Sequence, residues 1–228
     1  MLKGFRQYRE IEKDEFFLVG CDTAAGLGDR CAAQFFSQKK LDVPLVYHSE
    51  QSATEMTTDL YPVLNKIYDV TRKKPTIAYE RNNGGVFEMD RLALLNREGK
   101  FNIYHVQSFG QDETGATPKL GWDTNTATRP KMLSDLKDAI DNRLIKIYDQ
   151  QTIKEMFSFI VVNTTSTRKA QAEKTAHDDL IMALAIAYQL AIGVKDVQPV
   201  KRRPVRYTGG DPITGYGATP VYERADEF

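Results

Sequence analysis

FFLVGCD at residues 16–22 is an unbroken apolar run that closes on an acid, Asp22, with the glycine-rich AAGLGD behind it. An apolar run of this length bounded by glycines reads as a strand buried on both faces, followed by a turn. Working outward, CAAQFFSQ (31–38) and VPLVYHSE (43–50) are strand-like and separated by the polar KKLD, which predicts an antiparallel meander. Between Ala53 and Thr71 apolar residues recur at helical spacing, at Met56, Leu60, Val63, Leu64, Ile67 and Val70. Pro62 is expected to kink or break that helix.

The second half alternates. TIAYE (76–80) is a short strand ending on Glu80, and RNNGG is a turn. A helix over 86–97 stops at Gly99, and FNIYHVQS (101–108) is the next strand. Residues 109–128 are rich in Gly, Thr and Asp, and KLGWDTNTATRP (119–130) holds the single tryptophan in a loop or hairpin. A helix over 131–142 carries Leu133, Leu136, Ala139 and Ile140 on one face. LIKIYD (144–149), a short helix TIKEMF (152–157) and FIVVN (159–163) give one or two further strands, and HDDLIMALAIAYQLAIG (177–193) is a mostly apolar final helix. This order predicts an α/β fold, a mixed central sheet with antiparallel edge strands and helices on both faces. The domain is expected over 16–193, after a polar lead-in or linker remnant over 1–15. Over 194–228 prolines and glycines mix with KRR, which predicts a flexible tail.

Composition excludes several classes of function. The chain has 228 residues, with 31 Lys+Arg against 31 Asp+Glu, so it is no polycation that binds nucleic acid by bulk charge. Two cysteines, Cys21 and Cys31, supply neither a zinc framework nor a disulfide scaffold. No apolar run approaches the roughly 20 residues of a membrane span, and the charged start lacks the apolar core of a signal peptide. A soluble protein of a reducing cytoplasm is expected.

Three acids carry the chemical expectation. Asp22 and Glu80 end strands, where ligands gather in open α/β sheets, and Asp178 and Asp179 open the last helix. Counting three and four residues on from Asp179 reaches Met182, Ala183, Ile186, Ala187 and Leu190, whereas the face of Asp178 ends on Gln189. Asp179 is therefore the better inward ligand, and Asp178 a cap, second ligand or water polariser. Singly, each acid has a structural alternative: a turn cap, an Arg partner or a helix cap. Together they would repel, so convergence implies a hard cation, Mg²⁺ or Mn²⁺. Two such ions about 3.5–4 Å apart suit phosphodiester cleavage.

GCDTAAGLGD, IAYERNNGG, KLGWDTNTATRP and HDDLIMALAIA, in this order, resemble the nuclease domain of tailed-bacteriophage terminase large subunits, of the ribonuclease H-like, RuvC-type superfamily. The resemblance covers residues 16–193. It implies a two-metal site at Asp22, Glu80 and Asp179, with Asp178 adjacent, and endonucleolytic cutting of concatemeric viral double-stranded DNA during genome packaging. It implies as partners a packaging ATPase domain, a small terminase subunit and a portal protein, in the host bacterial cytoplasm. No GxxxxGK[ST] loop occurs; GATPKLGW lacks the Lys-Ser/Thr pair, so ATP-driven translocation is not expected of these residues. The domain is either isolated or served by an ATPase on a separate chain, and is expected to be monomeric.

Arg81, Asn82, Lys119, Thr126 and Arg129 are candidate DNA contacts, with Trp122, Thr124 and Thr128 in the same loop. Asn83 belongs equally to a turn needing positive φ, Trp122 to the core and Thr128 to a helix cap. His177 beside the acids, and Lys201, Arg202, Arg203 and Arg206 in the tail, read more simply as solvent-facing. Three other functions compete: a different ribonuclease H-like nuclease such as a Holliday-junction resolvase, a non-catalytic DNA- or portal-binding module, and an actin-like ATPase. The last needs a second phosphate loop, and the chain shows none.

Overall fold

A computed structural model of the chain describes residues 3–23, 30–106, 119–162, 178–193, 206–208 and 219–221. Its centre is a seven-stranded mixed sheet. The strands are β1 (Phe5–Gln7), β2 (Phe17–Asp22), β3 (Cys31–Ser37), β4 (Asp42–Ser49), β5 (Thr76–Tyr79), β6 (Asn102–Ile103) and, later in the chain, β9 (Lys146–Ile147). Across the sheet the order is β1-β4-β3-β2-β5-β6, with β9 also paired to β4. β2, β3 and β4 form the expected antiparallel meander, while β5 is parallel to β2 and β6 parallel to β5. The α/β expectation holds, and the arrangement is ribonuclease H-like.

Every residue of β2 is buried because helices cover both faces of the sheet. Side chains alternate along a strand. Phe17, Val19 and Cys21 therefore join Ile77 and Tyr79 of β5 against Met56, Leu60, Leu64 and Ile67 of α1 (Ala53–Thr71) and Met89 and Leu92 of α2 (Gly85–Leu95). Leu18 and Ala78 face the other way, into a second core built on α3 (Thr128–Asp141) and α5 (Asp179–Gly193). By the same alternation Asp22 and Glu80 lie on the α5 side. Gly20 permits this layering: a Cβ there would stand 2.1 Å from the Ala183 carbonyl oxygen and 2.4 Å from the Ala187 nitrogen.

The structure corrects several expectations. α1 is continuous through Pro62, anchored by a capping box between Ser52 and Glu55. The strand expected over 101–108 divides into β6 and β7 (His105–Val106), the latter paired with β8 (Lys119–Leu120). The division falls at Tyr104, whose N–H still bonds Ile77 while its carbonyl accepts from Gly121. Beyond that point the edge of β5 is taken by Gly121 and Trp122. FIVVN is no strand: α4 (Gln150–Val162) runs through it.

Residues 3–15 are also more than a lead-in. Phe5 is buried against Phe35 and Tyr47, and Arg9 bridges the buried carboxylates of Glu15 and Asp42, each at 2.7 Å. Their charges made the segment look solvated, but they are consumed in pairs. Residues 196–228 form a separate unit, in which β10 (Arg206–Thr208) pairs antiparallel with β11 (Thr219–Val221). The rest of the expected tail lies outside the described residues. Among the described residues no helix is long and apolar enough to cross a membrane, and Cys21 and Cys31 are buried and not joined in a disulfide.

Candidate active site

Two parallel strands end together. The β2–β5 register pairs Cys21 with Tyr79, and the Glu80 N–H donates to the Cys21 carbonyl at 2.8 Å. Asp22 and Glu80 thus follow as neighbours on the same face, and both are buried. Their carboxyls interact through charge and hydrogen bonding. Burial, the charge of Glu80, that hydrogen bond, and the charges of Asp179 and then Asp178 all push the Asp22 carboxyl well above its usual range. All four sequence-predicted acids therefore act on one point.

Helix α5 brings the other two acids. Its first turn closes with the Met182 N–H donating to the Asp178 carbonyl at 2.9 Å. The expectation that helix periodicity would separate Asp178 from Asp179 does not survive, because α5 is buried on every side from Leu180 to Ala187. A different feature separates them: Asp178 is ion-paired to Arg129 of α3 at 2.6 Å. Arg129, expected as a DNA contact, is thereby partly neutralised by an acid of the site.

The turn after Glu80 is built to hold it. The Asn82 carboxamide donates to Glu80 Oε1 at 3.2 Å, and Thr23 Oγ1 donates to the Asn83 carbonyl at 3.1 Å. Asn83 and Gly84 take positive φ, and the chain then passes so close to Glu80 that a Cβ on Gly85 would stand 1.9 Å from its carbonyl oxygen. On the far side Trp122 bridges to Glu80, and the Arg81 guanidinium donates to the Leu120 carbonyl. Trp122 packs against the α5-side core and over Tyr104 at 6.0 Å, which favours its core reading. Lys119 and Thr126 are exposed on this segment. Thr128 is tied within its own loop, donating to the Asp123 carbonyl, while the Asn125 carboxamide caps α3 by accepting from the Ala127 and Thr128 N–H groups. His177 and residues 201–203 lie outside the described residues.

Sequence reading missed Glu155. It is buried in α4, and Oε2 accepts the Leu180 N–H at 3.0 Å. Its carboxyl is pushed up to about 8, chiefly by burial and further by the charges of Asp179 and Asp178, against the opposing pull of the Leu180 and Ile181 N–H groups. The apolar Ile153, Met156 and Phe157 advertise a different face of α4, yet Phe157 is exposed while Thr152 and Glu155 point inward.

The donor set is all carboxylate oxygen and mutually repelling, with Asp22 and Glu80 buried and Asp178 and Asp179 half-buried, which is the chemistry a hard divalent cation relieves. The acids are neighbours rather than a closed cage. Among the described residues, no group of three or more His, Cys, Asp or Glu side chains is arranged to hold a metal ion.

No protein-family profile and no curated protein sequence matches the chain. Its fold, however, is similar to that of solved structures. The large terminase nuclease of thermophilic phage G20c, solved with bound magnesium, aligns at a TM-score of 0.57 and 14% identity, over 83% of this chain and 88% of that one. The same nuclease with bound cobalt aligns at 0.53. The large terminase nuclease domain of Thermus phage P74-26 aligns at 0.55 with 13% identity, over 86% of this chain and 90% of that one. At such identity the likeness is one of fold.

Proposed function

We propose that this chain is a metal-dependent endonuclease of the terminase type, hydrolysing phosphodiester bonds of concatemeric viral double-stranded DNA during packaging. The observation that carries the reading is the pairing of Asp22 with Glu80 at the ends of parallel β2 and β5, on the face met by Asp178 and Asp179. The fold shared with metal-bound terminase nucleases supports it.

Asp22, Glu80 and Asp179, with Asp178, are the residues that would hold Mg²⁺ or Mn²⁺, as two ions. When bound, such ions activate a water and stabilise the leaving oxygen. The chain's own groups set the stage. Asn82 orients the Glu80 carboxylate, Arg129 offsets the charge of Asp178, and the buried carboxyl of Asp22 keeps bulk water from the meeting point. Arg81, Lys119, Thr126 and Arg129, on the segments that follow Glu80 and lead into α3, would offer donors to DNA phosphates, contacts that position a duplex without reading its sequence. The packaging ATPase, small subunit and portal are the partners this reading implies, in a host bacterial cytoplasm.

A substrate comparison tests the reading against a resolvase. With Mn²⁺ present, linear duplex is expected to be cut at least as fast as a four-way junction of equal length. Cutting confined to the junction would transfer the assignment to a resolvase.

A further inference from the structure

The backbone of Leu180, next to Asp179, is held on both sides of its Cα by buried polar side chains that lie outside the acid cluster. On its N–H side, Glu155 Oε2 accepts from Leu180 at 3.0 Å, and the Ile181 N–H also acts on the Glu155 carboxyl. On its carbonyl side, Gln34 Nε2 donates to the Leu180 oxygen at 3.2 Å. Gln34 is wholly buried in β3, directly opposite Gly20 of β2, where α5 makes its closest approach to the sheet.

The grip is itself anchored. Gln34 Nε2 also donates to Thr152 Oγ1 at 2.9 Å, and Thr152 donates through both N–H and Oγ1 to Asp149 Oδ2 at 2.8 Å each. Asp149, buried just ahead of α4, receives the Arg6 guanidinium at 2.6 and 3.1 Å and the Tyr8 hydroxyl. A continuous chain of hydrogen bonds therefore runs from β1 through the start of α4 to the first turn of α5.

An apolar helix lying on a sheet is fixed in height by its packing at Gly20. Its rotation about its own axis is less constrained, because contacts between Ala, Ile and Leu side chains are non-directional. Hydrogen bonds are directional, and two of them on the consecutive peptides that flank one residue resist both rotation and fraying of the first turn. Asp179 immediately precedes Leu180 and shares the peptide whose N–H Glu155 accepts, so its carboxylate is aimed by the same two bonds.

We propose that Glu155 and Gln34 are positioning residues for Asp179: by clamping the Leu180 backbone they set the direction in which its carboxylate meets Asp22 and Glu80. This rests on the nuclease reading for its consequence in activity, but not for the clamp itself.

The test uses the full chain as Glu155→Ala, Glu155→Gln and Gln34→Met, with two readouts. Amide hydrogen exchange at Leu180 and Ile181 reports the clamp without any metal. Exchange at these amides is expected to accelerate at least about tenfold in Glu155→Ala and to stay near wild type in Glu155→Gln, which keeps an acceptor oxygen. Mn²⁺ binding, followed by the electron-spin signal of the free ion, reports the aim of Asp179. Weakening by about 10- to 100-fold is expected in Glu155→Ala and Gln34→Met, as for other residues that orient ligands, with recovery in Glu155→Gln. If Glu155→Ala unfolds, Gln34→Met carries both readouts. Unchanged exchange and unchanged Mn²⁺ affinity in the variants would overturn the clamp, and so would a Gln variant no better than Ala. A wild type that exchanges slowly at Leu180, loses that protection in Glu155→Ala, and neither binds Mn²⁺ nor cuts DNA would retain the clamp and refute the nuclease reading.

Discussion

Gly85 holds the turn after Glu80 at a distance only a glycine can keep, since the Cβ of any other residue would stand 1.9 Å from the Glu80 carbonyl oxygen. Overpacking of this kind costs about 1–3 kcal/mol, and here it acts on the backbone that carries a site carboxylate. Gly85→Ala is expected to lower the urea midpoint and to slow cleavage more than the stability loss explains; unchanged stability and activity would contradict the close approach. Asp22, Glu80 and the Asp178–Asp179 pair were legible in the sequence because strand ends and helix starts are local signals. Glu155 was not, since nothing in TIKEMF reports that a helix terminus from elsewhere will dock on it. The pairing of Arg129 with Asp178 was hidden for the same reason, as it joins residues 49 positions apart.

Between β2 and α5 the decisive feature is again a missing side chain. A Cβ on Gly20 would enter the α5 backbone at Ala183 and Ala187, so Gly20→Ala must push the helix from the sheet. The expected outcome is destabilisation of at least about 1–3 kcal/mol by chemical denaturation, with reduced Mn²⁺ affinity because Asp179 moves with its helix. Wild-type behaviour in both would show that α5 is not seated there. The meander, α1, β5 and α5 followed from periodicity. The strand expected at FIVVN did not, because α4 carries its helix through a β-branched run whose own preference is the weaker force. The division at Tyr104 depends on Gly121 and Trp122 arriving from farther along the chain, which no local window contains.

A net charge of zero conceals two populations of charge across the molecule. Acids gather at the ends of β2, β5 and α5, while Arg6 and Arg9 are spent on the buried carboxylates Asp149, Glu15 and Asp42. The second population makes a pH prediction. Burial alone would raise the Asp149 carboxyl; the Arg6 guanidinium, the Tyr8 hydroxyl and the Thr152 donors outweigh it and bring it down to about 2. A lowered carboxyl stabilises the fold above its unfolded value, and that contribution fades as pH falls from about 4 towards 2. The difference in unfolding free energy between wild type and Asp149→Asn is therefore expected to be largest near pH 6, at most about 2 kcal/mol from this source, and to shrink by pH 2.5. A difference independent of pH would contradict it. Placing Phe5 and Arg9 inside the fold also explains why residues 3–15, polar by composition, pack as part of the domain, with Phe5–Gln7 paired in the sheet.

The central claim is that Asp22 and Glu80, met by Asp179, form a metal-dependent phosphodiesterase site. Plasmid cleavage by wild type and Asp22→Asn, with Mn²⁺, with Mg²⁺ and with EDTA, tests it most directly. Supercoiled DNA is expected to be nicked and linearised by wild type with a divalent ion, and left intact with EDTA or by folded Asp22→Asn. Cleavage that persists in EDTA or in Asp22→Asn, or a folded wild type inert with both ions, would contradict the account.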